Sequence, residues 1–133
     1  MINDIIENLT NYAMDLGYGV ELNPLLKPDV PSFVSNKRQL IVINTNTEVQ
    51  EEIPLQLAHE IGHVLNNDRK LNKYYYTYAK YGVEKDANVM ALILLAPYYI
   101  EDKPEEYITV DGFMETFAIP EHQRAIAEQV LFG

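Results

Sequence analysis

The chain contains no cysteine. That removes disulfides, thiolate metal sites and cysteine nucleophiles together, and it suits a reducing compartment. Positive charge is also scarce: ten lysines and arginines stand against twenty acidic residues, a formal net charge of −10. Phosphate contacts need clustered cations, so direct binding of DNA or RNA is not expected. A basic protein partner is compatible with this balance, and so is plain solubility. Long apolar runs are missing. The longest, Val89 to Ala96, is far shorter than the ~20 residues that span a bilayer, so no membrane association is expected. The first twenty residues have neither a basic leader nor an uninterrupted apolar stretch, which argues against a signal peptide. There is no internal repeat or low-complexity tract. Together these absences point to a cytoplasmic protein.

What remains is ordinary globular material. Of 133 residues, 47% are hydrophobic and 23% charged, enough to bury one core and too balanced for global disorder. A single domain over residues 1–133 is expected.

Apolar spacing at Ile5, Ile6, Leu9, Tyr12, Ala13 and Leu16 predicts a helix over Asn3–Leu16, capped by Gly17. Asn23 to Pro31 holds three prolines and reads as a loop. Ser32–Ser35 and Gln39–Asn44 read as a hairpin around Asn36-Lys37. A second, mostly apolar helix is predicted from about Glu51 or Pro54 to Asn66, with acidic residues and proline at its start. Lys73–Gly82, rich in tyrosine, fits helix or loop. A third helix opens at Gly82 or Val83 and ends before Pro97. Two weaker helices follow at Asp111–Ala118 and Pro120–Phe132. The expected class is α+β, a small antiparallel sheet packed on a helical core, with the central chemistry in about 38–97 and the C-terminal helices in about 111–132.

The chemistry centres on His59-Glu60-Ile61-Gly62-His63. Residues four apart share a helix face, so His59 and His63 can offer two imidazole nitrogens to one ion. Glu60 lies about 100° round the helix, where it can reach a water without being a ligand. That division suits a catalytic zinc, which keeps one position for water and lowers its pKa towards about 7 while a carboxylate takes the proton. With three histidines and thirteen glutamates, His-Glu-x-x-His would arise by chance in roughly 1 chain in 150. The alternative is two satisfied core histidines beside a surface glutamate. Burying imidazoles in an apolar helix costs free energy without partners, which speaks against it. Gly62 costs on the order of 1 kcal/mol against alanine in a helix interior, and close approach by another backbone or by substrate would account for it.

Two histidines leave a catalytic zinc one ligand short. The third helix offers Glu84, 21 positions after His63, with Asn88 one turn on to hydrogen-bond a ligating histidine. Asp86 competes, but it lies about 200° from Glu84, so both cannot face one ion. A first-turn acid stabilised by the helix dipole is the other reading of Glu84. Ala87 and Ala91, with Ala58 and Gly62, would let the two helices approach closely.

The run Leu57-Ala58-His59-Glu60-Ile61-Gly62-His63-Val64-Leu65, followed by Glu84-x-x-Ala87-Asn88 and Ala91-x-x-Leu94-Leu95-Ala96-Pro97, resembles the ImmA/IrrE metallopeptidases over about residues 38–126. The strand ending at Asn44 and the segment Phe117–Pro120 with Arg124 also resemble that family. The resemblance implies a gluzincin-like site with His59, His63 and Glu84 on zinc and Glu60 as general base. It also implies cleavage of a helix-turn-helix repressor encoded by a mobile element or stress regulon. Ala96 departs from the methionine common before that proline, and the chain shows no sign of an additional sensor domain.

Two other readings stand beside this one. A non-catalytic regulator could keep the fold and bind a repressor or toxin, although it would not need Glu60, and a structural zinc would want a fourth protein ligand. A metal hydrolase could act on bonds other than peptides. Among other features, a tyrosine of the 74–81 cluster could donate to an oxyanion, but packing or partner binding explains such a cluster equally. His122 reads as an exposed residue at a helix start. An edge strand between Ser32 and Asn44 could hold an extended peptide by strand addition.

Overall fold

The computed structural model describes residues 1–66 and 76–133. In chain order these form α1 (Ile2–Asp15), β1 (Gly19–Asn23), β2 (Phe33–Ser35), β3 (Leu40–Asn44), α2 (Ile53–Leu65), α3 (Tyr76–Ile100), α4 (Val110–Phe117) and α5 (Arg124–Phe132). The α+β class read from the sequence holds. No helix among the described residues is long and apolar enough to cross a membrane.

Helix α1 buries Ile5, Leu9 and Ala13, one residue per turn along a single face. It ends as predicted at Gly17, whose φ of 90° is open to glycine without steric cost. The amides of Gly17 and Tyr18 then bond back to the carbonyls of Met14 and Ala13, at 2.9 and 3.0 Å, closing a Schellman turn.

The sheet order is β1-β3-β2. The expected hairpin is present, with β2 antiparallel to β3 and Phe33 opposite Val42. The third strand corrects the wholly antiparallel picture: β1 pairs with β3 in parallel, with Val20 beside Ile41. Its five residues hold only two apolar side chains between two turn signals, too little pattern to read as a strand. The direction follows from topology. The proline-containing loop reverses the chain between β1 and β2, the hairpin reverses it again, and β1 and β3 therefore run the same way. That loop is tied down by the buried Asn44. Its Nδ2 donates to the carbonyls of Lys27 and Val30, both at 2.8 Å, and its Oδ1 accepts from the Asn46 amide.

One apolar cluster draws on α1, β3, α2, α3, α4 and α5. Helix α2 lies at its centre, with Leu57, Ala58 and Ile61 fully buried. Pro54 sits in its first turn, where the missing amide would have had no partner in the helix.

Helix α3 is longer than predicted at both ends. It is already helical at Tyr76 and continues through Pro97 to Ile100. Proline deprives the carbonyl four residues earlier of its donor. That carbonyl belongs to Ile93, which is 46% exposed, so the break falls where water can compensate. Tyr74 and Tyr75 lie outside the described residues, as do the side chains of Tyr76, Tyr78 and Tyr81, and the tyrosine reading ends there.

Helix α4 begins at Thr109, whose Oγ1 accepts from the Gly112 amide at 2.9 Å, a standard N-cap bond. It closes at Ala118 in the left-handed region. Arg124 bridges Asp111 of α4 and Glu121 just before α5, at 2.7 and 2.6 Å. Its hydrogen bond holds the Glu121 carboxyl below the usual carboxylate range, and the two carboxylates push the guanidinium pKa up. All three groups are solvated, so the bridge contributes little stability.

Candidate metal centre

The centre forms where α2 and α3 pack together. The apolar face of α2 faces the core through Leu57, Ala58 and Ile61, which turns His59 and His63 towards the crossing with α3. Their rings stand edge to face at 88°, with the two Nε2 atoms 3.1 Å apart. From α3, Glu84 inserts its carboxylate between them. One oxygen lies 3.0 Å from Nε2 of His63 and the other 3.3 Å from Nε2 of His59.

Glu84 is the ninth residue of α3, so it is not a first-turn acid at the helix dipole. It stands inside the helix, opposite the histidines. Its side chain is 58% exposed while those of His59 and His63 are 22% and 11% exposed. The cluster is therefore closed on the protein side and open to solvent on the other.

Glu60 is buried at 7% exposure, and its carboxylate lies within 4.8 Å of the histidine nitrogens. Two carboxylates thus approach one histidine pair: Glu84 from α3, in direct contact with both imidazoles, and Glu60 from α2 itself. Asp86 is half-buried two residues further along α3. Asn88, one turn after Glu84, is half-buried and makes no side-chain hydrogen bond among the described residues; the bond to a histidine expected of it is not formed. His122 is exposed, as predicted.

The donor set fits zinc. Bonds of about 2.0–2.2 Å to nitrogen and oxygen in a tetrahedron put donor atoms roughly 3.3–3.6 Å apart. The two Nε2 atoms stand 3.1 Å apart and each faces one Glu84 oxygen, at 3.0 and 3.3 Å, at or within a few tenths of an ångström of that figure. Two imidazoles and a carboxylate are borderline ligands suited to this ion. Were His59, His63 and Glu84 to hold an ion, the solvent-facing side would leave it one further position.

Gly62, the glycine that looked misplaced in a helix interior, lies where α3 comes closest. A Cβ built on it would stand 2.8 Å from the carbonyl oxygen and 3.1 Å from the Cα of Ala87. Ala58, Ala87 and Ala91 are fully buried beside it. The close approach read from these small residues is present.

Sequence reasoning missed a polar chain on the same face of α2. Gln56 precedes His59 by three residues and Glu60 by four. Its Nε2 donates to Glu52 at 3.1 Å, and its Oε1 accepts from the hydroxyl of Ser32. Ser32 Oγ in turn accepts from the amide of Asn44 at 2.9 Å, and Glu52 also accepts from Thr47 at 2.7 Å. The residue before edge strand β2 is thereby bonded to the histidine-bearing face of α2, about one turn before His59. Serine before a short strand gives no pattern that singles it out.

Residues 13–126 match the model of peptidase family M78, described as the IrrE N-terminal-like domain. No curated protein and no solved structure matches the chain.

Proposed function

The chain belongs to the IrrE N-terminal-like family of peptidase family M78, and from that premise we propose that it is a zinc-dependent endopeptidase that cleaves a helix-turn-helix transcriptional repressor. The observation that carries the reading is the convergence of His59, His63 and Glu84 at 3.0–3.3 Å beside the buried Glu60. His59, His63 and Glu84 would hold the ion. When bound, zinc would supply Lewis acidity towards water and the scissile carbonyl.

The chain's own residues do the rest. Glu60 accepts the proton of the attacking water, whose oxygen bonds to the carbonyl carbon. It then returns that proton to the leaving amine as the carbon–nitrogen bond breaks. Edge strand β2, bonded to α2 through Ser32 and Gln56, offers an extended peptide a place to pair. A repressor is basic on its DNA-binding face, which complements a chain of net charge −10. On this reading the protein works in the cytoplasm and touches no nucleic acid itself.

The test is incubation of zinc-loaded protein with the product of the neighbouring helix-turn-helix gene, followed by intact mass. Wild type should yield two fragments whose masses sum to the repressor plus one water. Glu60→Gln should retain zinc and lose cleavage by at least about 100-fold, the usual scale for a general base. Undiminished cleavage by Glu60→Gln would sink the reading. Repressor release without fragments would favour a binding regulator instead.

A further inference from the structure

We propose that Gly62 is a positioning residue of the metal centre, setting how far Glu84 reaches towards His59 and His63. This rests on the metallopeptidase reading above. Both helices bring the same contact to the centre. Gly62 is the immediate neighbour of His63, and Ala87 is three residues, about 4.5 Å of helix rise, beyond Glu84. A displacement at this crossing therefore reaches the ligands almost undiluted.

The magnitudes decide the matter. A Cβ at residue 62 would lie 2.8 Å from the carbonyl oxygen of Ala87, and ordinary contact begins at 3.4 Å. The atoms it meets are backbone, which cannot rotate away as a side-chain end can. The helices must then separate by about 0.6 Å. Metal–ligand distances tolerate about 0.2 Å, and built functional sites about 0.5 Å. Such a separation carries the His59 contact from 3.3 to about 3.9 Å, past the roughly 3.3–3.6 Å that zinc donors keep. A glycine that costs helix stability is thus required by the reach of one carboxylate from the facing helix. A side chain at residue 62 moves Glu84 outward and weakens its hold on the ion.

Zinc affinity, measured by competition with a chromophoric chelator, reads this directly, with circular dichroism reporting the fold. Gly62→Ala should keep its helical signal and bind zinc at least about tenfold more weakly, the scale on which displaced supporting groups act. Because the effect passes through Glu84, Gly62→Ala combined with Glu84→Gln should bind no more weakly than Glu84→Gln alone. Gly112→Ala is the control. It adds a Cβ against the hydroxyl of Tyr99, about 22 Å along α3 from Glu84, and should lower the melting temperature while leaving zinc affinity intact.

Unaltered affinity in Gly62→Ala overturns the proposal, and so do losses that multiply in the double variant. Should Gly62→Ala fail to fold, Glu84→Asp decides instead. Its side chain is largely exposed, so folding is not at risk, and its reach is one methylene shorter. Tenfold weaker zinc binding supports a reach this limited; wild-type affinity overturns it. Wild-type protein that binds no zinc sinks the metallopeptidase reading and this proposal with it. Wild-type binding beside an unaffected Gly62→Ala sinks the proposal alone.

Discussion

Two imidazole nitrogens 3.1 Å apart, with a carboxylate against both, form a cluster that a cation holds together better than water does. Zinc should therefore stabilise the fold by mass action, by about 2.7 kcal/mol when free ion stands at a hundred times its dissociation constant. Thermal unfolding with zinc and with a chelator measures this. Wild type should melt higher in zinc, and His63→Ala should lose most of that increment. A zinc increment that survives His63→Ala would place the ion elsewhere. At this scale the sequence was informative. His59, Glu60 and His63 are set by helix periodicity alone, and the need for a third ligand led to Glu84. Gln56, Ser32 and Asn44 were not legible, because each acts through a partner 12 to 24 residues away that no local spacing records.

Among the elements, the turn between α4 and α5 carries a strain that can be measured. Ala118 has φ 52° and ψ 42°, the left-handed conformation, and it caps α4 while Ile119 bonds back to Met114 at 2.9 Å. A Cβ in that conformation costs about 1–2 kcal/mol, which glycine does not incur. Ala118→Gly should therefore raise stability by about 1 kcal/mol after the extra freedom glycine gives the unfolded chain. A lower midpoint in denaturant titration would show that the Ala118 methyl contributes packing that outweighs the strain. Helices α1, α2, α4 and α5 were legible within a few residues because caps and apolar faces mark them. Two elements were not. Helix α3 overran Pro97 because the carbonyl deprived of its donor lies at an exposed residue. Strand β1 was missed because an edge strand with an exposed face has almost no apolar alternation.

For the whole molecule, what matters is charge rather than shape. Twenty acids against ten bases leave a field that attracts a basic partner from beyond contact distance. Long-range attraction between exposed charges is screened within about 10 Å at 0.1 M salt. Close contacts at the metal centre are much less affected. If the partner is a basic DNA-binding protein, salt should act on encounter and spare chemistry. The second-order rate constant for cleavage should fall by at least about tenfold between 0.05 and 0.5 M salt, while turnover at saturating repressor stays within about twofold. Stopped-flow association and single-turnover cleavage over a salt series separate the two. A neutral peptide carrying the same scissile bond should show no such loss, because the field has nothing to attract. Were the intact repressor as insensitive to salt as that peptide, recognition would have to come from strand β2 and the open side of the metal centre, and the acidic surface would serve solubility alone.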